Sequence, residues 1–416
     1  MSEKDNTELK PAEENPWYVL ATICDKWDED DDEKFIVNDK VLTNCEVWNS
    51  WVIPSLSEKT ISAIGKSQST GFPGPKWIAI KHEVEARFKR RTSGGELPDL
   101  SKEINLRDTT FSKEADFGCF YFPANVGFDR SIFVKNVSFK NTFFAGTISN
   151  LGTIFFGKTF FHLATFCSYA RFRNVIFFED VTFAHTVFEY YSHLEGSKFE
   201  RQSNFRNCQF NKACNLRRVK LKKEHPLLEG SKFDEKSTLS AKSEYWPDPQ
   251  NCEQNPEEAK ATCEILREQM EAQGLHDEAH FFFRRERHFA VKMLTPWQRL
   301  PNNLFACLSA YGFSLKRPLS ALAFLWALPM VIFWVNGCTG KCANTIGAEL
   351  WVSLIKMAGL SIANIFQITG LQRGYWSDFI ECLPWGLKFL GGLQTLLAIP
   401  LLFLLLLGLR NRFRLK

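Results

Sequence analysis

The chain lacks the short patterns that mark most enzymes and metal proteins. Its twelve cysteines include no Cys-x-x-Cys pair and no zinc-type spacing, which excludes the common structural zinc folds. It has no phosphate-cradling glycine loop, no Gly-x-Ser-x-Gly elbow and no His-Glu-x-x-His pair, so the familiar hydrolase, nucleotide and zinc-peptidase chemistries have no foothold. We expect no enzyme, no cofactor and no metal. His276 and His280, with Asp277 and Glu278 between them, come nearest to a metal face, but no third ligand stands close by and they are expected on a solvated helix face. The acidic run WDEDDDEKF, Trp27 to Phe35, lacks both the glycine and the spacing of an EF-hand and is expected to be a solvated loop. The opening MSEKDNTELKPAEENP is polar and acidic, unlike a cleavable signal peptide. Most cysteines are therefore expected to be reduced, small and apolar.

Phenylalanine, by contrast, is abundant: 39 of 416 residues, far above ordinary core usage. From Phe111 large apolar residues advance by six and five in alternation: Phe117, Phe122, Phe128, Phe133, Phe139, Phe144, then Phe155, Phe161, Phe166, Phe172, Phe177, Phe183, Phe188, Leu194, Phe199, Phe205, Phe210, Leu216 and Leu221. Asn150 alone breaks the series. A small residue stands two positions before most members, such as Thr142, Thr153, Ala164 or Ser197. The unit is thus eleven residues, small-x-Phe-x-x-small-x-Phe-x-x-x. The hexamer LEGSKF occurs at Leu194–Phe199 and Leu228–Phe233, one residue out of phase with that unit, which places an extra residue in KKEHPL, Lys222 to Leu227.

Neither a helix nor an ordinary half-buried strand has a period near 5.5. A solenoid does, if each short straight run points one small and one large side chain inward before the chain turns a corner. Over Leu106 to Leu239 the sequence resembles the pentapeptide-repeat family in an eleven-residue variety. The resemblance implies a right-handed quadrilateral β-helix. Some members of that family mimic DNA with an acidic surface; between positions 109 and 240 this chain has 18 Lys and Arg against 12 Asp and Glu, so DNA mimicry is not expected.

The C-terminal third suits a different solvent. LSALAFLWALPMVIFWV, Leu319 to Val335, has no charge, and FLGGLQTLLAIPLLFLLLLGL, Phe389 to Leu409, is interrupted only by Gln394 and Thr395. Both have the length and character of membrane spans, expected at about 318–336 and 387–409. Basic residues precede the first (Arg284, Arg285, Arg287, Lys292, Lys316, Arg317) and follow the second (Arg410, Arg412, Arg414, Lys416). The positive-inside rule then puts both ends and the solenoid in the cytosol. On a helix over Ala348 to Ile368, Glu349, Ser353, Lys356, Asn364 and Gln367 form one polar stripe. It reads equally as a re-entrant, pore-lining helix or as an amphipathic helix on the outer face or packed on the hairpin. Between the spans, Cys338 and Cys342 would lie in an oxidising compartment, where they are candidates to pair.

Taken whole, the chain resembles a bacterial membrane protein in which a pentapeptide-repeat domain precedes a two-span, ion-channel-like module. NPWYVLAT at Asn15–Thr22, HDEAHFFFRRERH at His276–His288 and SAYGFSLKRPLSAL at Ser309–Leu322 carry the likeness. Channel members have a TVGYG-like filter after the pore helix. Here IANIFQITGLQRGYW has only an isolated Gly374-Tyr375 beside Arg373, which disfavours potassium selectivity. The expected organisation is a helical cap over 1–105, a β-helix over 106–245, cytosolic and juxtamembrane helices over 256–315 with a break at Gly274, and a membrane module over 316–416. The leading expectation is an inner-membrane effector, homo-oligomeric, whose cytosolic domain senses an unknown ligand or protein and whose spans form a weakly selective pore. The alternative is a membrane-anchored scaffold.

Overall fold

The computed structural model describes residues 9–27, 34–37, 40–55, 77–339, 350–366 and 376–413, and the chain divides into two compact units, Met1–Met293 and Leu294–Lys416. In the first unit the solenoid strands, of two or three residues, pair in parallel, coil upon coil, while a separate small ribbon pairs Ile36 with Val41 in antiparallel. Val137 pairs with Ala115 and Thr159, Phe144 with Phe122 and Phe166, Ile148 with Val126 and Ala170, and Phe155 with Phe133 and Phe177. Each step is 22 residues, so two of the eleven-residue units make one coil. Four sheets result, two of seven strands and two of five. The fold is a parallel β-solenoid of about six turns.

The alternation of five and six has a backbone cause. Asp108, Cys119, Arg130, Asn141, Gly152, Leu163, Asn174, His185, Gly196, Asn207, Arg218 and Gly230 all have positive φ. They fall once in each five-residue step and make its tight corner, while the six-residue steps turn more widely. Left-handed backbone suits Gly and Asn best, and both recur there. LEGSKF packs one corner's needs into six residues: an inward Leu, a left-handed Gly (Gly196, Gly230), a Ser, and an inward Phe. A Cβ on Gly196 would come within 2.3 Å of Asn174 Oδ1, the corner residue one coil below.

The serine explains the small inward position. Ser131, Thr142, Thr153 and Thr186 donate from their hydroxyls to the carbonyls of Leu106, Phe117, Phe128 and Phe161, each at 2.7 Å, and Ser197 does the same to Phe172. These bonds satisfy backbone carbonyls that face the core. Smallness is not obligatory, because buried Val126, Val137, Ile148 and Val175 occupy equivalent sites. The phenylalanines stack in columns: Phe133 on Phe155 at 4.8 Å, Phe155 on Phe177 at 5.0 Å, Phe139 on Phe161 at 4.9 Å, with planes within 8°. Every predicted core phenylalanine is buried. The register also locates the insertion. Phe199 pairs with Leu221, 22 residues on, but Asn204 bridges to Leu227, 23 on.

Both solenoid ends are covered, as an open stack of coils requires. At the start, Lys10–Pro11 adds a strand to one sheet. Helix α1 (Pro16–Ala21) is capped by Asn15 and places Tyr18 against Phe111 and Phe117, which accounts for NPWYVLAT. Helix α2 (Asn44–Val52) opens with a Thr43–Glu46 capping box and buries Trp48, whose Nε1 donates to the Tyr121 carbonyl at 2.8 Å. Helix α3 (Trp77–Arg91) completes this cap. Of the acidic run, residues 28–33 lie outside the described residues. At the far end, α4 (Pro256–Ala272) and α5 (His276–Lys292) are separated by Gly274 at positive φ. Leu266, Met270, Phe281 and Phe282 join the solenoid core. His276 is exposed as expected, but His280 is half-buried, and burial beside Arg284 lowers its pKa to about 4.

The second unit contains α6 (Pro296–Ser309), α7 (Lys316–Thr339), α8 (Leu350–Ile365), α9 (Ser377–Cys382) and α10 (Trp385–Phe413). Helices α7 and α10 are long and apolar enough to cross a membrane, and α8 packs against both.

Candidate functional site

Two places gather polar chemistry. In the second unit, α8 turns its polar residues toward α10 and α7. Gln394, in the middle of α10, donates through Nε2 to Ser361 Oγ at 2.6 Å, to the Ser361 carbonyl at 3.1 Å and to the Leu325 carbonyl at 3.0 Å. Its Oε1 accepts from Asn364 Nδ2 at 3.0 Å. Thr395 Oγ1 donates to the Asn364 carbonyl at 2.9 Å, and Ser361 Oγ donates to the Trp326 carbonyl at 2.7 Å. Trp326 Nε1 closes the set on the Ala358 carbonyl at 3.2 Å. Such a cluster binds apolar helices together where no hydrophobic drive exists between them. Asn364 Oδ1 is buried without a hydrogen-bond partner.

The predicted stripe is thus divided. Asn364 is buried in the helix–helix contact, Leu360 beside it is also buried, and Lys356 is exposed. Ser353 lies in α8, its side chain outside the described residues, as are Glu349 and Gln367 altogether. Cys338 falls in the last turn of α7 with its side chain undescribed, and Cys342 lies outside the described residues, so their pairing stays an expectation. Sequence reasoning missed Ser361, and took Gln394 and Thr395 only as interruptions of a span. The signal was there, because a polar pair inside a leucine run is costly unless it has partners.

The second place is a groove of about 680 Å³ on one solenoid face. Gly127 lets the Arg107 guanidinium lie against the sheet, since a Cβ there would come within 2.6 Å of Arg107 Cζ. On one side Arg107 bridges Glu103 at 2.6 Å and Asp129 at 2.8 Å; on the other Arg173 meets Glu195 at 3.3 Å, and Arg218 meets the same carboxylate at 2.6 Å. Burial works to raise the Asp129 pKa, but hydrogen bonds from Ser149 and Arg107 outweigh it and hold the carboxyl below the usual range. The Arg218 hydrogen bond lowers Glu195 likewise. Arg171 lies over the Tyr169 ring at 5.3 Å, and burial, with Arg173 and Arg171 nearby, lowers the His193 pKa. The floor therefore offers fixed charges of both signs beside the His193 ring. Among the described residues no group of three or more His, Cys, Asp or Glu is arranged to hold a metal ion.

A parallel solenoid followed by helices, two of them able to span a bilayer, is the architecture of a membrane-associated repeat protein. Comparison with known protein families, with curated proteins and with solved structures finds no match.

Proposed function

We propose that the chain is a membrane-anchored recognition protein: the solenoid presents its charged groove to a polar ligand or partner protein, and the second unit holds it at the membrane. The inward turn of Ser361 and Asn364 onto Gln394 carries this reading, because these two polar side chains close the helix bundle instead of facing a water path. The finer assignment follows the sequence resemblance: a right-handed quadrilateral coil of the pentapeptide-repeat type, facing the cytosol of a bacterium with both termini, on an inner-membrane hairpin. The four parallel sheets and the 22-residue coil support it, as do the basic flanks. No catalysis is assigned to it.

A second reading, an oligomeric and weakly selective pore, is favoured by Lys356, an exposed cation on the helix whose Ser361 and Asn364 turn inward. A cation repeated around an axis of subunits would set the charge of a water path. The two readings separate in liposomes. The anchored protein remains in the bilayer after an alkaline carbonate wash and passes no ions, with or without Lys356→Glu. Ion flux whose cation–anion preference inverts on Lys356→Glu overturns the anchor and installs the pore.

A further inference from the structure

Helix α6 is built in three faces. Phe305, Leu308 and Ser309 turn toward the second unit's own packing: Leu308 packs against a core cluster, Ser309 is buried, and Phe305 meets Tyr311 edge-on. Arg299 and Asn303 form a polar side. Trp297, Leu300, Leu304 and Cys307 fall within an arc of about 80° at the helical repeat, and this apolar stripe is bare. Trp297 is 86% exposed, Leu300 55% and Leu304 52%. Their spacing of three and four residues is that of a packed helix face, yet among the described residues of this unit no element covers it.

The helix is held by a built corner. It ends in Ala310, Tyr311 and Gly312, all with positive φ, so α7 cannot continue its axis. Arg317, in the first turn of α7, donates through one Nη to the Ala306 carbonyl at 2.7 Å and the Cys307 carbonyl at 3.3 Å, satisfying the terminal carbonyls of α6 with a cation where the helix dipole favours one. Asn411 near the end of α10 donates to the Gly312 carbonyl at 2.9 Å. A Cβ on Gly312 would meet Leu407 Cδ2 at 2.9 Å. The end of α6, the start of α7 and the end of α10 therefore meet at one end of the bundle.

That end carries one sign of charge. Arg299, Lys316, Arg317, Arg410 and Arg412 belong to it, while residues 294–339 and 385–416 contain no Asp or Glu. The acids of the second unit among the described residues, Asp378 and Glu381, lie just before the start of α10, roughly 40 Å of helix from Arg410. We propose that α6 is an in-plane helix seated in the bilayer interface, its Trp297–Leu304 stripe among the acyl chains and the surrounding cations on the headgroups of acidic phospholipids. Continuity with the α7 span puts the stripe at the right depth, and the charge selects the lipid. The inference rests on the membrane-anchored reading and adds a lipid preference to it.

The test uses the full chain in vesicles of phosphatidylcholine with phosphatidylglycerol. The difference between the unaltered chain and Trp297→Phe isolates the Trp297 emission, and that exposed substitution leaves the fold intact. Lipids brominated close to the headgroup should quench this emission, and lipids brominated near the chain ends should quench it less. Increasing the phosphatidylglycerol share should raise the thermal midpoint, and Lys316→Gln, Arg410→Gln and Arg412→Gln together should abolish that rise. Trp297 left unquenched in vesicles whose span tryptophans are quenched overturns the seating and indicates a second copy over the stripe. Quenching strongest at the chain ends overturns the in-plane placement, and a midpoint indifferent to phosphatidylglycerol overturns the lipid preference. Failure of the chain to stay in washed vesicles refutes the membrane reading itself, a result distinguishable from the others.

Discussion

Asn150 occupies an inward position between Phe128 and Phe172 of the coils below and above, and is 1% exposed. Its backbone is ordinary: the N–H donates to the Arg171 carbonyl at 2.7 Å and the carbonyl accepts from Thr153 at 3.2 Å. The side chain is not, because neither Nδ2 nor Oδ1 has a hydrogen-bond partner. A buried polar group left unpaired costs about 1 to 3 kcal/mol. Replacing the amide with Leu removes two such groups and adds apolar burial worth about 1.5 kcal/mol or more. The opposing term is the branched terminus, where overpacking costs about 1 to 3 kcal/mol. The balance is a gain of about 2 kcal/mol for Asn150→Leu, which raises the midpoint of a unit this size by about 3 °C.

The assay is thermal unfolding of a fragment ending at Met293, followed by far-ultraviolet dichroism and tryptophan fluorescence together, since a repeat array need not melt in one step. Asn150→Ala is the control: it removes the unpaired amide without filling the site, and it should leave the midpoint unchanged or slightly higher. An Asn engaged in the core would make both variants less stable. A fall in midpoint for Leu and Ala alike would therefore refute the claim that this amide is a defect in the phenylalanine column.

Two further outcomes are expected of the same unit. Phe172 is fully buried, with Phe161, Phe166 and Phe183 packed edge-on around it at 5.4 to 5.9 Å, so Phe172→Ala should cost about 3 to 5 kcal/mol; outward Arg173, half-exposed in its pair with Glu195, should lose less than about 1 kcal/mol on Arg173→Ala, and equal losses would put the inward register in error. His225 should make stability fall with acid: burial, with Arg285 beside it, lowers its pKa from 6.5 to about 3. The fold keeps the imidazole neutral, so below about pH 6.5 the unfolded chain takes up the proton first. Stability is complete above that value and is lost progressively toward pH 3, by up to about 1.4 kcal/mol per pH unit. His225→Gln should flatten this slope in urea midpoints taken from pH 7 to 4; an unchanged slope would assign it to other groups.

The solenoid was legible because its physics is local and repeated. One inward side chain every five or six residues is a pattern that any window displays, and even the extra residue in KKEHPL showed as a phase slip before the register confirmed it. What the period left out was the reason for its own alternation, the left-handed corner at Cys119, Arg130 and their successors, since only half of the corner residues are Gly or Asn and residues such as Cys119, Arg130 and Leu163 carry no such backbone preference in their names. The membrane unit was less legible for a different reason. A polar stripe on α8 says which face is not apolar, but water and a partner amide satisfy Asn364 equally well, and the partner, Gln394, lies 30 residues away on another helix. Periodicity identifies a face; only the fold identifies what it meets. The same limit applies in reverse to α6, whose Trp297, Leu300 and Leu304 would ordinarily be read as a packed face. The corner at Ala310–Gly312 and the all-cationic end around it change that meaning, because a stripe that no described element of its unit covers, placed where a span begins, has the lipid interface as its natural solvent.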